Sequence, residues 1–374
     1  MDDHTRKILQ IAEEVKTKAP LISYDYPEED CYFHSQKKEL IDQIKKKFYE
    51  YLGRYSQEPD YLISIRWFYT QKLIDFTHLD PLIPRNIKTP NVGLIAEMTK
   101  LHALNEDISA ITKFIFDSIN SFKPDLYIKP ELIVRDFPDR YSFHLGNCKF
   151  NLVTETYTKL SKLYIGPPDR LNNHIFNLLC RYESLAAPGY HAAIPDELFN
   201  ILRTNLSVNH ELFASPFNCN MSVGSYTSAY PDTDKYFGSK GNFFNVYPKL
   251  FEKGGSFEAN PPFLEEHVAA LSLIIEDTLK TTLKSVPLSF VVVYPSWTDS
   301  IGYQILHQSK FNITTLQYEY NEHYYVQSSQ YWLKNKKRTA NNRSSIFILQ
   351  NEAGKIKYKV TPEVLEKINE SFKC

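Results

Sequence analysis

The chain has 374 residues, enough for two domains or for one large domain with an appendage. With 43% hydrophobic and 14% aromatic residues it can build sizeable cores, which excludes global disorder. The formal net charge of −1 leaves no overall basic field to gather long nucleic acid. Any nucleic-acid partner must be gripped by a local patch or pocket, which favours a small defined feature such as an RNA end over a long duplex.

The N-terminal stretch MDDHTRKILQ lacks the apolar core of a signal peptide, and no run of about 18 apolar residues occurs. Five cysteines, at 31, 148, 180, 219 and 374, stand far apart and form no CxxC pair, which speaks against a secreted disulfide framework. The histidines form no HxxxH or His/Cys ligand spacing, so no metal is expected. The expectation is a soluble, intracellular protein with no membrane partner.

In chain order, residues 1–20 predict a polar helix with Ile8, Ile11, Ala12 and Val15 at helical spacing. From Gln36 to about Tyr55 a Lys-rich face (Lys37, Lys38, Lys45, Lys46, Lys47) alternates with apolar positions, the pattern of a helix with a solvated side. Leu62–Phe76 and Val92–Phe122 are further helix candidates, separated by the loop DPLIPRNIKTP. Between Tyr127 and Val153, short apolar runs with turn residues predict strands or irregular structure. Residues 1–165 thus read as a mainly helical domain. Residues 166–374 read as a second domain.

That second part alternates helix and strand patterns. Helices are expected from about Leu171 to Leu185 and from Ile194 to Leu206, with Pro195 in the first turn of the latter. HELFASP (210–216), FFNVYP (243–248) and SFEA (256–259) read as strands. A helical stripe follows through Leu264, Val268, Leu271, Ile275, Leu279 and Leu283, with Glu265 and Glu266 in its first turn, where carboxylates favour the helix dipole. LSFVVVYP (288–295) is an unbroken apolar run, as expected of a central strand covered on both faces. ITTLQYEY and SSIFILQN (344–351) are two more strands, and Pro362–Phe372 is a closing helix. The alternation specifies an α/β fold with a mostly parallel, doubly wound sheet, whose ligands bind beyond the carboxyl ends of the strands.

The stretch GSFEANPPF lies at such an end, closing on Asn260, Pro261, Pro262 and Phe263. Such a turn suits methyl transfer to a planar amine, whose lone pair is delocalised into its ring. The Asn side-chain oxygen and a backbone carbonyl of the Pro-Pro pair can accept the two N–H groups. The prolines stiffen the turn and keep the carbonyl aimed. Phe263 offers a face on which a base can stack. A Pro-rich strand-to-helix turn with a core Phe fits the tetrapeptide equally well.

GYHAAIP (189–195), ELFASPFNC (211–219), YPDTDKYFGSKG (230–241), GSFEANPPFLEE (255–266) and LSFVVVYPSW (288–297) recur in this order in the phosphorylated-CTD-interacting-factor family. These are the cap-specific adenosine N6-methyltransferases (CAPAM), which the chain resembles over roughly residues 170–372. The resemblance implies a Rossmann-like S-adenosylmethionine-dependent methyltransferase core at 166–374 carrying the NPPF motif. It implies that the N-terminal helical region helps frame the cap pocket. The substrate would be the 5′ end of capped RNA, whose first nucleotide is a 2′-O-methylated adenosine, and the product N6-methylated. Family enzymes are expected to act alone, as monomers and without metal. Asn260, Pro261, Pro262 and Phe263 match the family's catalytic turn without substitution.

For the cofactor, the loop after the strand at 210–216 offers Pro216, Phe217 and Asn218, although Asn218 equally suits a simple Asx turn. Asp232 and Asp234 in PDTD can accept bonds from the ribose or the methionine amino group, or cap a turn. Asn245 departs from the family, which carries an acid there, and leaves the ribose contact open. Cap recognition needs an aromatic or cationic surface for 7-methylguanine and basic groups for the triphosphate. Arg66 and Trp67, Glu319 and Tyr320, and the basic loop with Lys334, Lys336, Lys337, Arg338 and Arg343 are the candidates. Trp67 is by habit a core residue, and the basic loop by habit a solvated one. The three tryptophans (67, 297, 332) lack the paired spacing of a WW module, so no WW-mediated binding to a polymerase tail is expected. A DNA adenine or protein-glutamine methyltransferase, or a catalytically silent cap-binding subunit, is the alternative reading.

Overall fold

The computed structural model describes residues 2–21, 30–53, 55, 65, 67–68, 82–83, 95, 98–99, 102–125, 130–186, 191–327, 333 and 336–374. Two compact units emerge, one formed by residues 24–187 and the other by residues 1–23 together with 188–374. The first 23 residues thus group with residues 188–374. The reason lies in α1 (Asp3–Lys18), whose Ile8, Ala12 and Val15 are buried, with the helix packed on α9 (Glu265–Thr281).

In the unit at 24–187, α2 (Cys31–Leu52) packs on α3 (Asn105–Ser121) and α5 (Leu171–Ser184). Asp30 caps α2 by accepting from Phe33 N at 2.9 Å. Its buried stripe runs through Leu40, Ile41, Ile44, Phe48 and Leu52. The expected solvated lysine face is interrupted, because Lys37 is fully buried with its ammonium 4.4 Å from the centre of the Phe33 ring. The span 127–153 yields an antiparallel meander of β1 (Ile133–Asp136), β2 (Arg140–Leu145) and β3 (Cys148–Val153), followed by α4 (Thr154–Leu163). The helix expected over 62–76 lies almost wholly outside the described residues. That expected over 92–122 is described as a helix from Asn105 onward.

The other unit contains a six-stranded sheet of order β6-β5-β7-β8-β12-β9. Its strands are β5 (His210–Ala214), β6 (Tyr226–Ser228), β7 (Gly255–Ala259), β8 (Leu288–Pro295), β9 (Asn312–Tyr318) and β12 (Ser344–Gln350). β6, β5, β7 and β8 are parallel, whereas β12 runs antiparallel between β8 and β9, so the sheet is mixed. β8 is buried at every position, as its unbroken apolar run requires.

One face carries Val291, Val293, Ile346 and Ile348 in a core with α6 (Asp196–Leu206) and α12 (Pro362–Phe372). On the opposite face Phe257 and Phe290 stack at 5.4 Å and both meet Phe251 edge to face. Phe251 ends α8 (Phe243–Phe251), the stretch whose aromatics suggested a strand. Asn242 turns it into a helix by accepting from Phe244 N at 3.0 Å, and Phe243, Tyr247 and Phe251 then recur at intervals of four. Two more short helices follow their strands, α7 (Pro231–Asp234) after β6 and α10 (Ile301–Gln308) after β8. The apolar stripe of α9 stops short of Leu283, which is 73% exposed beyond the helix end.

A separate three-stranded sheet joins β4 (Ala192–Ala193), β10 (Tyr324–Gln327) and β11 (Lys337–Thr339), and α11 (Glu352–Lys357) follows β12. Among the described residues no helix is long and apolar enough to cross a membrane.

Candidate active site

β5 lies between β6 and β7, so the chain leaves β5 for one neighbour and later returns to the other. Because all three are parallel, the loops after β5 and β7 open at the same end of the sheet, where a crevice for a ligand forms in such topologies. The turn Asn260–Phe263 follows β7 directly at that end.

Asn260 is 9% exposed, and its Nδ2 donates to the carbonyl oxygen of Ala192 at 2.7 Å. A carbonyl can only accept, so this contact fixes which way the amide points. Oδ1 is left on the other side, buried and without a partner. Pro262 O accepts from Leu264 N at 2.7 Å, which leaves the Pro261 carbonyl as the second acceptor on the turn. Phe263 is half-buried and is met edge to face by Tyr325, Tyr294 and Trp297 at centroid distances of 6.0, 6.1 and 6.5 Å. Edges on several sides hold the Phe263 ring while leaving it partly exposed.

After β5 the chain closes a tight loop. Asn218 Oδ1 accepts from Ser215 N at 2.6 Å and from Ser215 Oγ at 2.8 Å, so its side chain holds the turn, the Asx reading. Pro216 and Phe217 are buried beneath it. Past the end of β6, Asp234 is fully buried and accepts from Thr233 Oγ1 at 2.9 Å, whereas Asp232 is half-buried. Asn245 donates from Nδ2 to Ala19 O at 2.7 Å, tying α8 to the segment after α1.

Two acids that the sequence reading passed over sit between these loops. Glu211 on β5 and Glu258 on β7 are register partners, each nearly fully buried. Glu211 Oε1 accepts from Asn220 N at 2.6 Å and so anchors the segment after the β5 loop. Burial, with the Glu211 charge beside it, holds the Glu258 carboxyl well above the usual carboxylate range. Glu258 Oε1 is buried without a partner, two residues before Asn260. The one available signal was an acid inside each of two apolar strands, HELFA and SFEA. Burial also depresses two histidines to about 4, His191 beside β4 and His210 on β5, the latter helped by Lys240.

The cap candidates scatter. Trp67 is 6% exposed and edge to face with Phe68, which is the core role. Arg66 and Lys334 lie outside the described residues. Glu319 pairs with Arg343 Nε at 2.7 Å, and the Arg343 guanidinium lies 5.6 Å from the exposed Tyr320 ring. Lys336 O accepts from Gln327 N at the foot of the β10–β11 pair, and Arg338 is exposed on β11. Among the described residues no group of His, Cys, Asp or Glu could hold a metal ion.

Residues 154–328 match the sequence model described as "Phosphorylated CTD interacting factor 1 WW domain". That description carries the words WW domain, contrary to the expectation from tryptophan spacing; the match runs from α4 to just past β10. A Mus musculus protein named mRNA (2'-O-methyladenosine-N(6)-)-methyltransferase is 34% identical over 215 residues, 55% of this chain and 29% of that relative. A Homo sapiens protein of the same name is 33% identical over the same share of each chain. The chain thus spans under a third of the length of the curated relatives it matches. These matches make the chain similar to the phosphorylated-CTD-interacting-factor family over residues 154–328.

Proposed function

We propose that this chain methylates the N6 amine of the 2′-O-methyladenosine next to the cap of mRNA, using S-adenosylmethionine on a Rossmann-like core. The observation that carries the reading is Asn260 Oδ1, a buried acceptor without a partner at the carboxyl end of β7. An adenine amine has two N–H groups to place. Asn260 Oδ1 takes one and the Pro261 carbonyl the other, drawing the lone pair out of the ring plane. Phe263 stacks the base. A cap-adjacent nucleotide is single-stranded, so presenting it costs no unpairing. The amine proton leaves to water, since the methylated ammonium is strongly acidic.

S-adenosylmethionine supplies an activated methyl group when bound. The β5 loop with Pro216, Phe217 and Asn218 would line one side of the crevice. Asp232, the more accessible acid after the second parallel strand, would take the ribose hydroxyls, the role an acid has there in nucleotide-binding sheets. Asp234, already engaged by Thr233, would position that helix. Glu319, Lys336 and Arg338 would contact the capped end. The protein would act as a monomer and without metal.

The test is methyl transfer to capped RNAs beginning with 2′-O-methyladenosine or with guanosine. Transfer confined to the capped adenosine RNA is expected. Equal transfer to uncapped RNA, to duplex DNA or to a glutamine peptide would overturn the assignment.

A further inference from the structure

Next to the Asn260 turn, three more strand ends lie side by side. Ser344, the first residue of β12, pairs with Pro295 at the end of β8 and with Tyr318 at the end of β9. The residues just beyond are Trp297, Arg343 and Tyr320. Ser296 N donates to Arg343 O at 3.0 Å, which extends the β8–β12 pairing into this row. With neighbouring strands about 4.8 Å apart, β8 and β9 are separated by about 10 Å across it.

Trp297 is 42% exposed and Tyr320 57%, so two large aromatics stand in solvent on one rim. Trp297 sits on a tight turn, its N–H donating to Pro295 O at 2.7 Å and its carbonyl accepting from Ser300 N at 2.9 Å. Its ring meets Phe263 and Tyr294 edge to face, at 6.5 and 5.4 Å. The row therefore begins at the ring on which the target base is proposed to stack, and continues through a cation to a second exposed aromatic.

We propose that Trp297, Arg343 and Tyr320 form a rail for the single-stranded RNA that continues 3′ of the methylated adenosine. This deepens the proposed function and rests on it. The next base stacks on Trp297, the phosphate beyond it draws Arg343 from its pair with Glu319, and a further base reaches Tyr320. Base–aromatic stacking with a cation alongside is how single strands are held without regard to sequence. One feature favours the 3′ strand over the cap: the ring contacts along the row are edge to face, which makes an open shelf and no slot around one base.

The experiment uses the full chain and capped RNAs carrying one, three or six nucleotides after the cap. Affinity is read by fluorescence anisotropy of 3′-labelled RNA, and KM and kcat by methyl transfer. For the unaltered protein KM should fall as the RNA lengthens. Trp297→Ala should raise KM for the longer RNAs about tenfold while moving that of the cap dinucleotide far less. Trp297→Phe should restore most of the loss, which separates stacking from folding, and Arg343→Ala should flatten the salt dependence of binding. An equal loss on the cap dinucleotide, abolished when the cap guanine lacks its N7 methyl, would move the ring to the cap and overturn the proposal. So would no loss at any length. If the unaltered protein methylates none of these RNAs the proposed function fails, while the length dependence of anisotropy still reads the rail.

Discussion

Asn260 reaches 68 residues back in sequence to give its side-chain N–H to the carbonyl of Ala192, at 2.7 Å. The bond sets the polarity of the amide, so its buried oxygen is left as an acceptor only. Position 260 thus carries two separable properties, a tether and an acceptor.

Asn260→Ala removes both. Product formation should fall by at least about a hundredfold, the usual cost of losing one oriented group in a site that binds developing charge. Stability should fall by about 1 kcal/mol, the net worth of one hydrogen bond. Asn260→Asp keeps acceptor oxygens but puts one against the Ala192 carbonyl, and should retain more turnover than Ala at a comparable cost in stability. Near-normal kcat in Asn260→Ala, measured on a variant shown by calorimetry to be folded, would remove Asn260 from the proposed chemistry.

Burial, with Glu211 beside it, holds the Glu258 carboxyl well above its ordinary value of 4.5. Above that pH the unfolded chain releases this proton while the folded chain keeps it. Stability therefore falls as pH rises, by about 1.4 kcal/mol per unit, until the folded group itself ionises. Glu258→Gln keeps shape and neutrality, so its melting temperature should decline less steeply from pH 5 to pH 8 and exceed that of the unaltered protein at pH 8. Parallel pH profiles for the two proteins would show that Glu258 is ionised in the fold.

Much of this architecture was legible because its elements bury regular patterns. The apolar run 288–295 and the segment 362–372 fold as read, with Pro362 in the first turn of its helix. The α8 segment was misread because Phe, Val and Tyr favour strands, and the deciding bond comes from Asn242, a single polar residue ahead of the run. Asn260 stood out as part of a short motif. The Ala192 carbonyl that orients it, and the register that sets Glu211 against Glu258, depend on strand pairing that no local pattern records. The charge of Lys37 places it in solvent by pattern, whereas packing against Phe33 buries it.

His191 and His210 both titrate near 4 in the fold, against 6.5 for the free side chain. Between those values the unfolded chain binds protons that the folded chain does not, so stability present above pH 6.5 is lost as pH falls toward 4. For His191 the difference corresponds to roughly 3 kcal/mol. Acid should therefore loosen the region around β4, which carries the Asn260 tether, in this window. Calorimetric melts at pH 7, 5.5 and 4.5 should show a steep loss that His191→Gln makes shallower. An unchanged slope in that variant would mean His191 is protonated in the fold.

Gly302 in α10 leaves no room for a side chain against α9. A Cβ there would stand 2.8 Å from Val268 Cγ1 and 3.0 Å from the Ala269 backbone nitrogen. The Ser272 hydroxyl lies 2.7 Å from Val268 O and 3.1 Å from Gly302 O, sharing its proton between the two helices at this spacing. α9 begins two residues after Phe263, so pushing it aside displaces the turn that holds Asn260. Gly302→Ala should cost about 1–3 kcal/mol by overpacking and, in the folded fraction, lower kcat more than it raises KM. Thermal melts and steady-state methyl transfer at saturating RNA check both parts. A variant with the stability loss and full kcat would show that α9 can shift without carrying the Asn260 turn along.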